Sequence, residues 1–291
     1  MEKSLFKRDL KTKQTRNMGV SFGIMVLLII LAAYMALPFV YAIIQSFKPV
    51  DELFAYPPRF FVINPTLDNY YQLSVLTSSM WIPFGRFVLN SVFIAVTGTF
   101  FSVVFASMAA LPLAKVDFPG AKIINKIIVV ALLFSAPVMS VPQYIIMAKL
   151  GVIDSYWALL LPQLASTMGL FLMKNFMTQI PDVMIDAARI DGANLFTIFW
   201  RIAMPLVKPA WLTLIIFAFQ GLWASSDTAF IYTEKLKLMP TVLNQIVAAG
   251  GTARMGVGSA ITVLMLIPPI LVFLITQSNI LETMAHSGIK E

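Results

Sequence analysis

Asp186-Ala187-Ala188-Arg189-Ile190-Asp191-Gly192-Ala193-Asn194-Leu195-Phe196-Thr197-Ile198-Phe199-Trp200-Arg201-Ile202-Ala203-Met204-Pro205 is a charged insert between apolar runs. Its reading decides what kind of chain this is. Two short helices can be read in it. The first begins at Pro181-Asp182, where proline suits a first helical position and an acid suits the positive end of the helix. It carries Asp186, Ala187, Ala188 and Arg189. Gly192 ends it, because glycine accepts the left-handed turn that closes a helix. Asn194 or Ala193 opens the second helix, whose Phe196, Phe199 and Trp200 fall at i, i+3 and i+4 and so share a face.

Outward from this insert the chain is strongly apolar. Of its 291 residues 59% are hydrophobic and 12% charged, with a mean hydropathy of +0.83. A soluble domain is about 25% charged, so a bilayer is expected to be the main solvent. The apolar runs are Met18 to Phe47, Phe87 to Ala114, Ile127 to Ala148, Trp157 to Met173, Pro209 to Ser226 and Val257 to Leu281. Each approaches or exceeds the roughly 20 residues that cross the hydrocarbon core. The first is much longer than a signal-peptide core of about 7–15 residues. It is expected to be retained, with a local kink at Pro38.

The expected fold is therefore an all-α membrane protein of six transmembrane helices. Residues 1–19 form a basic cytoplasmic tail, 20–47 the first transmembrane helix and 48–85 an extracytoplasmic loop. Residues 86–281 form a five-helix core that contains the insert at 179–208, and 282–291 form a second cytoplasmic tail. This topology puts most of the 21 Lys and Arg on one side, including Lys115, Lys122, Lys126, Lys174, Arg189, Arg201, Lys208 and Lys290. Basic loops mark the cytoplasm, so both termini are expected there. The formal charge of +7 is answered by anionic headgroups rather than by nucleic acid.

Local patterns refine the outline. Ala106, Ser107, Ala109 and Ala110 give a small-residue face that permits close helix contact. Pro137 and Pro142 interrupt the third run, and Pro268-Pro269 kink the last. Thr66 or Asp68 is expected to cap a short helix through Leu73. Leu238 to Ile246 reads as another short helix, dipping toward a pathway.

The residues also exclude chemistry. There is no cysteine, and the one histidine is His286, near the C-terminus. That leaves no His/Cys metal site, no thiolate and no Ser/His/Asp set. No Gly-x-x-x-x-Gly-Lys-Ser/Thr loop is present to cradle ATP. The middles of the apolar runs lack ionisable residues, which disfavours ion-coupled transport. No catalysis, metal or cofactor is expected, and energy for uphill transport has to come from another subunit. Polar or aromatic side chains in or beside the spans are Asn90, Gln143, Gln163, Gln220, Trp223 and Asp227. Amides, carboxylates and indoles suit a sugar pathway. The same side chains serve equally as interhelical hydrogen bonds, worth about 0.6–2 kcal/mol each.

The insert resembles the loop motif of the membrane subunits of ATP-binding-cassette importers. That pattern runs Glu-Ala-Ala, three residues, Gly, nine residues, then Ile-x-Leu-Pro. Here Asp186-Ala187-Ala188, Gly192 and Ile202-Ala203-Met204-Pro205 keep both spacings, with Asp for Glu and Met for Leu. Ala188-Arg189-Ile190-Asp191-Gly192-Ala193 is similar to the carbohydrate branch, which includes the small permease of maltose transporters. Arg86-Phe87-Val88-Leu89-Asn90-Ser91, the Phe118-Pro119-Gly120 turn and the tail Ala285 to Lys290 resemble it too. Trp223-Ala224-Ser225-Ser226-Asp227 departs from the family's Trp-Asn-Asp/Glu-Phe.

The resemblance implies a type I importer permease fold in the cell membrane and a role in sugar or oligosaccharide uptake. It also implies the partners: a second homologous permease, two cytoplasmic ATP-hydrolysing subunits and an extracytoplasmic solute-binding protein. Asp186, Ala187, Ala188, Gly192 and Pro205 are then the ATPase-coupling residues. The short helix lies in a groove of the ATPase, and the two alanines keep it thin. Two rivals stand beside this reading. One is a permease for peptides or polyamines; the other is a membrane scaffold that transports nothing.

Overall fold

The computed structural model describes residues 18–134, 136–226 and 229–287. The basic tail before Met18, Asp227 and the last residues from Gly288 lie outside them. Every regular element among the described residues is helical. The first helix, α1 (Met18–Ser46), is apolar all round and runs through Pro38 without a break. Its exposed apolar side chains and its contact with α14 (Met255–Ser287) fit a helix that faces lipid on its other sides.

The loop after α1 is tied by its polar groups. Asn69, on α3 (Asp68–Ser78), donates to the carbonyls of Ser46 and Lys48 at 2.9 and 2.8 Å. The Glu52 carboxylate, on α2 (Val50–Leu53), accepts from the Ile63 and Asn64 amides. The α3 start differs from expectation. Its N-cap is Leu67, and Thr66 accepts the Asp68 amide at 2.8 Å.

The organising element is α4 (Phe84–Lys115). At about 1.5 Å per residue it is about 48 Å long. Its small residues let neighbours approach. A Cβ on Gly98 would lie 2.6 Å from a methyl of Leu222, on α12 (Lys208–Trp223). Ala106, Ser107 and Ala110 are buried as expected, but Ala109 is exposed and belongs to the outer side of the helix. Two hydrophobic clusters sit at opposite ends of α4. One gathers Phe87, Ile94, Leu159, Leu222, Trp223 and Leu243. The other gathers Ala106, Met173, Met177, Ile185, Ile198 and Phe199.

The expected third span is two helices, α5 (Ala121–Ala131) and α6 (Ala136–Lys149). Pro137 explains the interruption, because its ring clashes with the carbonyl four residues earlier and it has no N–H to offer there. Next come α7 (Tyr156–Leu164) and α8 (Thr167–Thr178), joined where Ser166 accepts the Gly169 amide. The insert holds α9 (Asp182–Ile190), then α10 (Leu195–Ile198), a π turn Phe199–Ala203 and α11 (Met204–Leu206). The expected short helix near 238 is α13 (Met239–Gly250), whose Met239 amide donates to Ser91 Oγ at 2.7 Å.

Four helical stretches are long and apolar enough to cross a membrane: Phe22–Ser46, Phe84–Lys115, Tyr156–Thr178 and Met255–Gln277. A fifth is added if Leu195–Leu206 and Lys208–Trp223, bent by 83°, count as one. By length and composition the described residues thus give four or five spans, against six expected.

Candidate functional site: the charged elbow and its anchors

At the Lys115 end of α4, three helix termini meet. The carbonyls that close α8 have no intrahelical partner. The Lys115 ammonium donates to Thr178 and Ile180 carbonyls at 3.2 and 2.5 Å and to Asp182 Oδ1 at 2.7 Å. The Lys115 side chain is 6% exposed. One buried lysine therefore joins the ends of α4 and α8 to the start of α9. From sequence Lys115 is marked only as one of the basic residues expected on the cytoplasmic side. A lysine in the last turn of a long apolar helix was the available signal.

Pro181 is the N-cap of α9, not its first helical residue, with extended backbone at φ −60° and ψ 130°. Asp182 opens the helix as expected. Ile185 and Ala188, three apart, are buried in the cluster at this end. Ala188 therefore faces its own subunit. Ala187 is exposed. Val183, Met184 and Ile190 are exposed with it, Ile190 at 87%. Val183, Ala187 and Ile190 sit at i, i+4 and i+7, so they form one uncovered apolar stripe. Asp186 pairs with Arg189 at 3.5 Å on the solvated side.

Gly192 has φ +82° and nothing within 4 Å of a would-be Cβ. Glycine is required there by backbone conformation, not by space. Asn194 then caps α10 by accepting the Thr197 amide at 2.8 Å. Phe199 is buried, while Phe196 and Trp200 are exposed. The Trp200 ring meets Phe199 at 4.9 Å and Phe196 at 6.3 Å, both edge-on, so the three form one contiguous aromatic group. A π turn begins at Phe199. Pro205 has no N–H for the Arg201 carbonyl, and the Met204 amide bonds back to Phe199 instead. After Val207 the chain turns through 83° into α12. There the Trp211 indole donates to the Met204 carbonyl at 3.1 Å, satisfying a group left open at the bend.

Among the described residues the polar pathway candidates sit in different surroundings. Asn90 is buried and fully engaged: it donates to the Lys235 and Lys237 carbonyls and accepts the Tyr156 hydroxyl at 2.7 Å. Trp223 is 3% exposed and stacks on Phe219. Its indole donates to the Met265 carbonyl at 3.0 Å, which Pro269 leaves without a helical partner. These two side chains hold helices together, which revises the expectation that they offer themselves to a solute. Gln220 is exposed and lines a cavity of about 180 Å³ with Phe39 and Pro269. Gln143 and Gln163 are half-buried on other helices. Asp227 lies outside the described residues.

At the Phe84 end, loops are tied by carboxylates. Asp154 has φ +59° and accepts the Tyr232 and Thr233 amides and the Thr233 hydroxyl. The Thr233 side-chain bond, then the two amides, hold its carboxyl below the ordinary value. Glu52 is likewise lowered, first by the Ile63 amide.

Residues 102–285 match the family model described as binding-protein-dependent transport system inner membrane component. The chain is 32% identical over 273 residues to protein LplC of Bacillus subtilis (strain 168), covering 87% of this chain and 89% of that one. It is 31% identical over 274 residues to the polygalacturonan/rhamnogalacturonan transport system permease protein YtcP of the same organism, covering 87% and 91%. Among solved structures it is similar to a chain of a bacterial ABC transporter involved in the import of the acidic polysaccharide alginate. There the TM-score is 0.72 at 23% identity, over 92% of this chain and 98% of that one.

Proposed function

The chain belongs to the family of binding-protein-dependent transport system inner membrane components, and from that premise we propose that it is a permease subunit of a sugar or oligosaccharide importer. Membership makes it a multi-pass membrane subunit and not an enzyme; ATP hydrolysis belongs to a separate subunit of such systems. It also implies ATPase and solute-binding partners. The finer assembly is a reading: a second homologous permease beside this one, two ATPases below and one binding protein outside.

In this reading the Lys115 end of α4 is cytoplasmic and both termini lie inside. The six spans are α1, α4, the broken pair α5 and α6, the pair α7 and α8, then α12 and α14. Broken helices are tolerated at membrane depth where other helices or a cavity satisfy the backbone. A reporter fused after Glu291 reads cytoplasmic and one near Gln245 reads external. A cytoplasmic signal near Gln245 overturns the topology.

The observation that carries the coupling role is the uncovered stripe of Val183, Ala187 and Ile190 on a helix anchored by Lys115. An amphipathic helix seated in a partner's groove is a recurring mode of recognition. Asp186 and Ala187 face the ATPase, Ala188 seats the helix on its own bundle, and Gly192 and Pro205 shape the turns. Closure of the ATPase pair then moves α9, and Lys115 passes the movement to α4 and α8. Gln143, Gln220 and Asp227 are the remaining side chains proposed for the solute path.

Because the chain has no cysteine, Ala187→Cys is a clean crosslinking site. The expected product is a crosslink to the ATPase that changes with bound nucleotide, alongside sugar uptake that needs this gene. Absence of the crosslink from an assembled, active transporter overturns the docking assignment. Uptake of peptides or polyamines instead of sugars overturns the substrate class.

A further inference from the structure

At the Phe84 end of α4 lies a groove of about 480 Å³ that the transport reading leaves unused. This volume falls within the about 300–1,000 Å³ of small-molecule sites. Its apolar floor includes Phe87, Val242 and Ile246. Its polar and aromatic members are Trp81, Glu234, Gln245 and Arg254. Trp81 is 98% exposed. A lone tryptophan there would read as an interfacial anchor. The charges that line the same groove are what point to a ligand.

Arg254 is held in place before any ligand arrives. Its Nη1 donates to the Ile246 carbonyl at 2.7 Å. Its stem lies across Gly250, where a Cβ would sit 2.1 Å from Arg254 Cδ. It forms no ion pair among the described residues, whereas Glu234 is paired with Lys237. Lys237 also reaches Gln245 Oε1 at 3.4 Å. The acid of the groove is thus answered internally and the guanidinium is not. An unanswered guanidinium, oriented by a carbonyl, matches a carboxylate in fork geometry. An exposed indole and an amide lining the same groove match the ring and hydroxyls of a sugar.

We propose that this groove binds a uronate-type acidic sugar, its carboxylate on Arg254, its ring on Trp81 and a hydroxyl on Gln245. The proposal rests on the importer reading and deepens it, by naming the substrate class the subunit meets at this end. A neutral sugar leaves the guanidinium unmatched, and a lipid tail leaves the polar wall unused.

The test is equilibrium binding of digalacturonate to the transporter purified with its co-purifying subunits but without the solute-binding protein. Digalacturonate binds, and its methyl ester, neutral and of similar shape, binds at least about tenfold more weakly, as loss of a charge-assisted pair requires. Arg254→Gln weakens digalacturonate to a similar extent, Arg254→Lys less, and Trp81→Ala weakens both ligands. Equal affinity for acid and ester overturns the proposal without any variant. So does unchanged binding in Arg254→Gln. If Arg254→Gln instead weakens only docking of the binding protein, Arg254 serves that partner and the sugar site is wrong. In each case the Ala187→Cys crosslink to the ATPase reports on the importer reading separately.

Discussion

Lys115 Nζ lies 2.7 Å from Asp182 Oδ1, across 67 residues of chain. The pair is unequal: the lysine side chain is 6% exposed and the aspartate 79%. Lys115 also carries the Thr178 and Ile180 carbonyls. Its removal takes a charged donor from two carbonyls, the Ile180 one part-buried, whereas removal of the aspartate charge leaves the lysine both of them. Lys115→Met is expected to lower stability by about 2–3 kcal/mol, read as a melting shift of the detergent-solubilised protein. Asp182→Asn is expected to shift it far less. Equal shifts would mean that the carbonyl bonds contribute nothing.

Gly192 separates conformation from space. Its φ is +82° and its surroundings are open. An L-residue there costs about 1–2 kcal/mol, more for a β-branched one. Gly192→Val is expected to reach the membrane at normal level and to lose at least about tenfold in uptake, while Gly192→Asn keeps most of it, because Asn tolerates this region. Membrane fractionation and uptake assays check both. Normal uptake in Gly192→Val removes the turn from the coupling path.

Trp211 sets the bend after Val207. Trp211→Phe keeps the ring and removes the donor to Met204, a loss of about 0.5–1.5 kcal/mol. ATP hydrolysis by the assembled transporter is expected to persist while solute moved per ATP falls. A parallel fall of both activities would make Trp211 a general packing residue.

Asp154 gives the pH prediction. Its folded carboxyl titrates below the ordinary 3.8. Depressed acids contribute stability that is fully present above their unfolded value and is lost as pH falls through the folded one. Melting curves of wild type and Asp154→Asn are therefore expected to differ at pH 5 to 7 and to converge below about pH 3.8. A gap that stays constant into acid removes the ionic contribution.

The insert was legible in sequence because turn chemistry is local. Gly192 and Asn194 announce a stop and a start with residue types that few alternatives share, and both hold. The face of a helix that meets its own bundle was less legible. Ala187 and Ala188 are the same residue type, and only the burial of Ala188, with Ile185, in the cluster that holds Met173 and Met177 distinguishes them. Periodicity placed Phe196, Phe199 and Trp200 together, and their rings do meet; what periodicity did not give is that only Phe199 is buried. Asn90 and Trp223 could be read as solute ligands or as interhelical bonds because side-chain type does not reveal which carbonyl, 42 or 145 residues away, takes the donor.

Helix α4 enters both hydrophobic clusters, so it behaves as a stiff rod bolted at each end. Over its length of about 48 Å, a rock of about 5° at one bolt carries the other through about 4 Å. Leverage of that kind needs no chain of intermediates and no soft joint. On the proposed orientation, a cytoplasmic tug and an opening at the far mouth are one displacement of one rigid body.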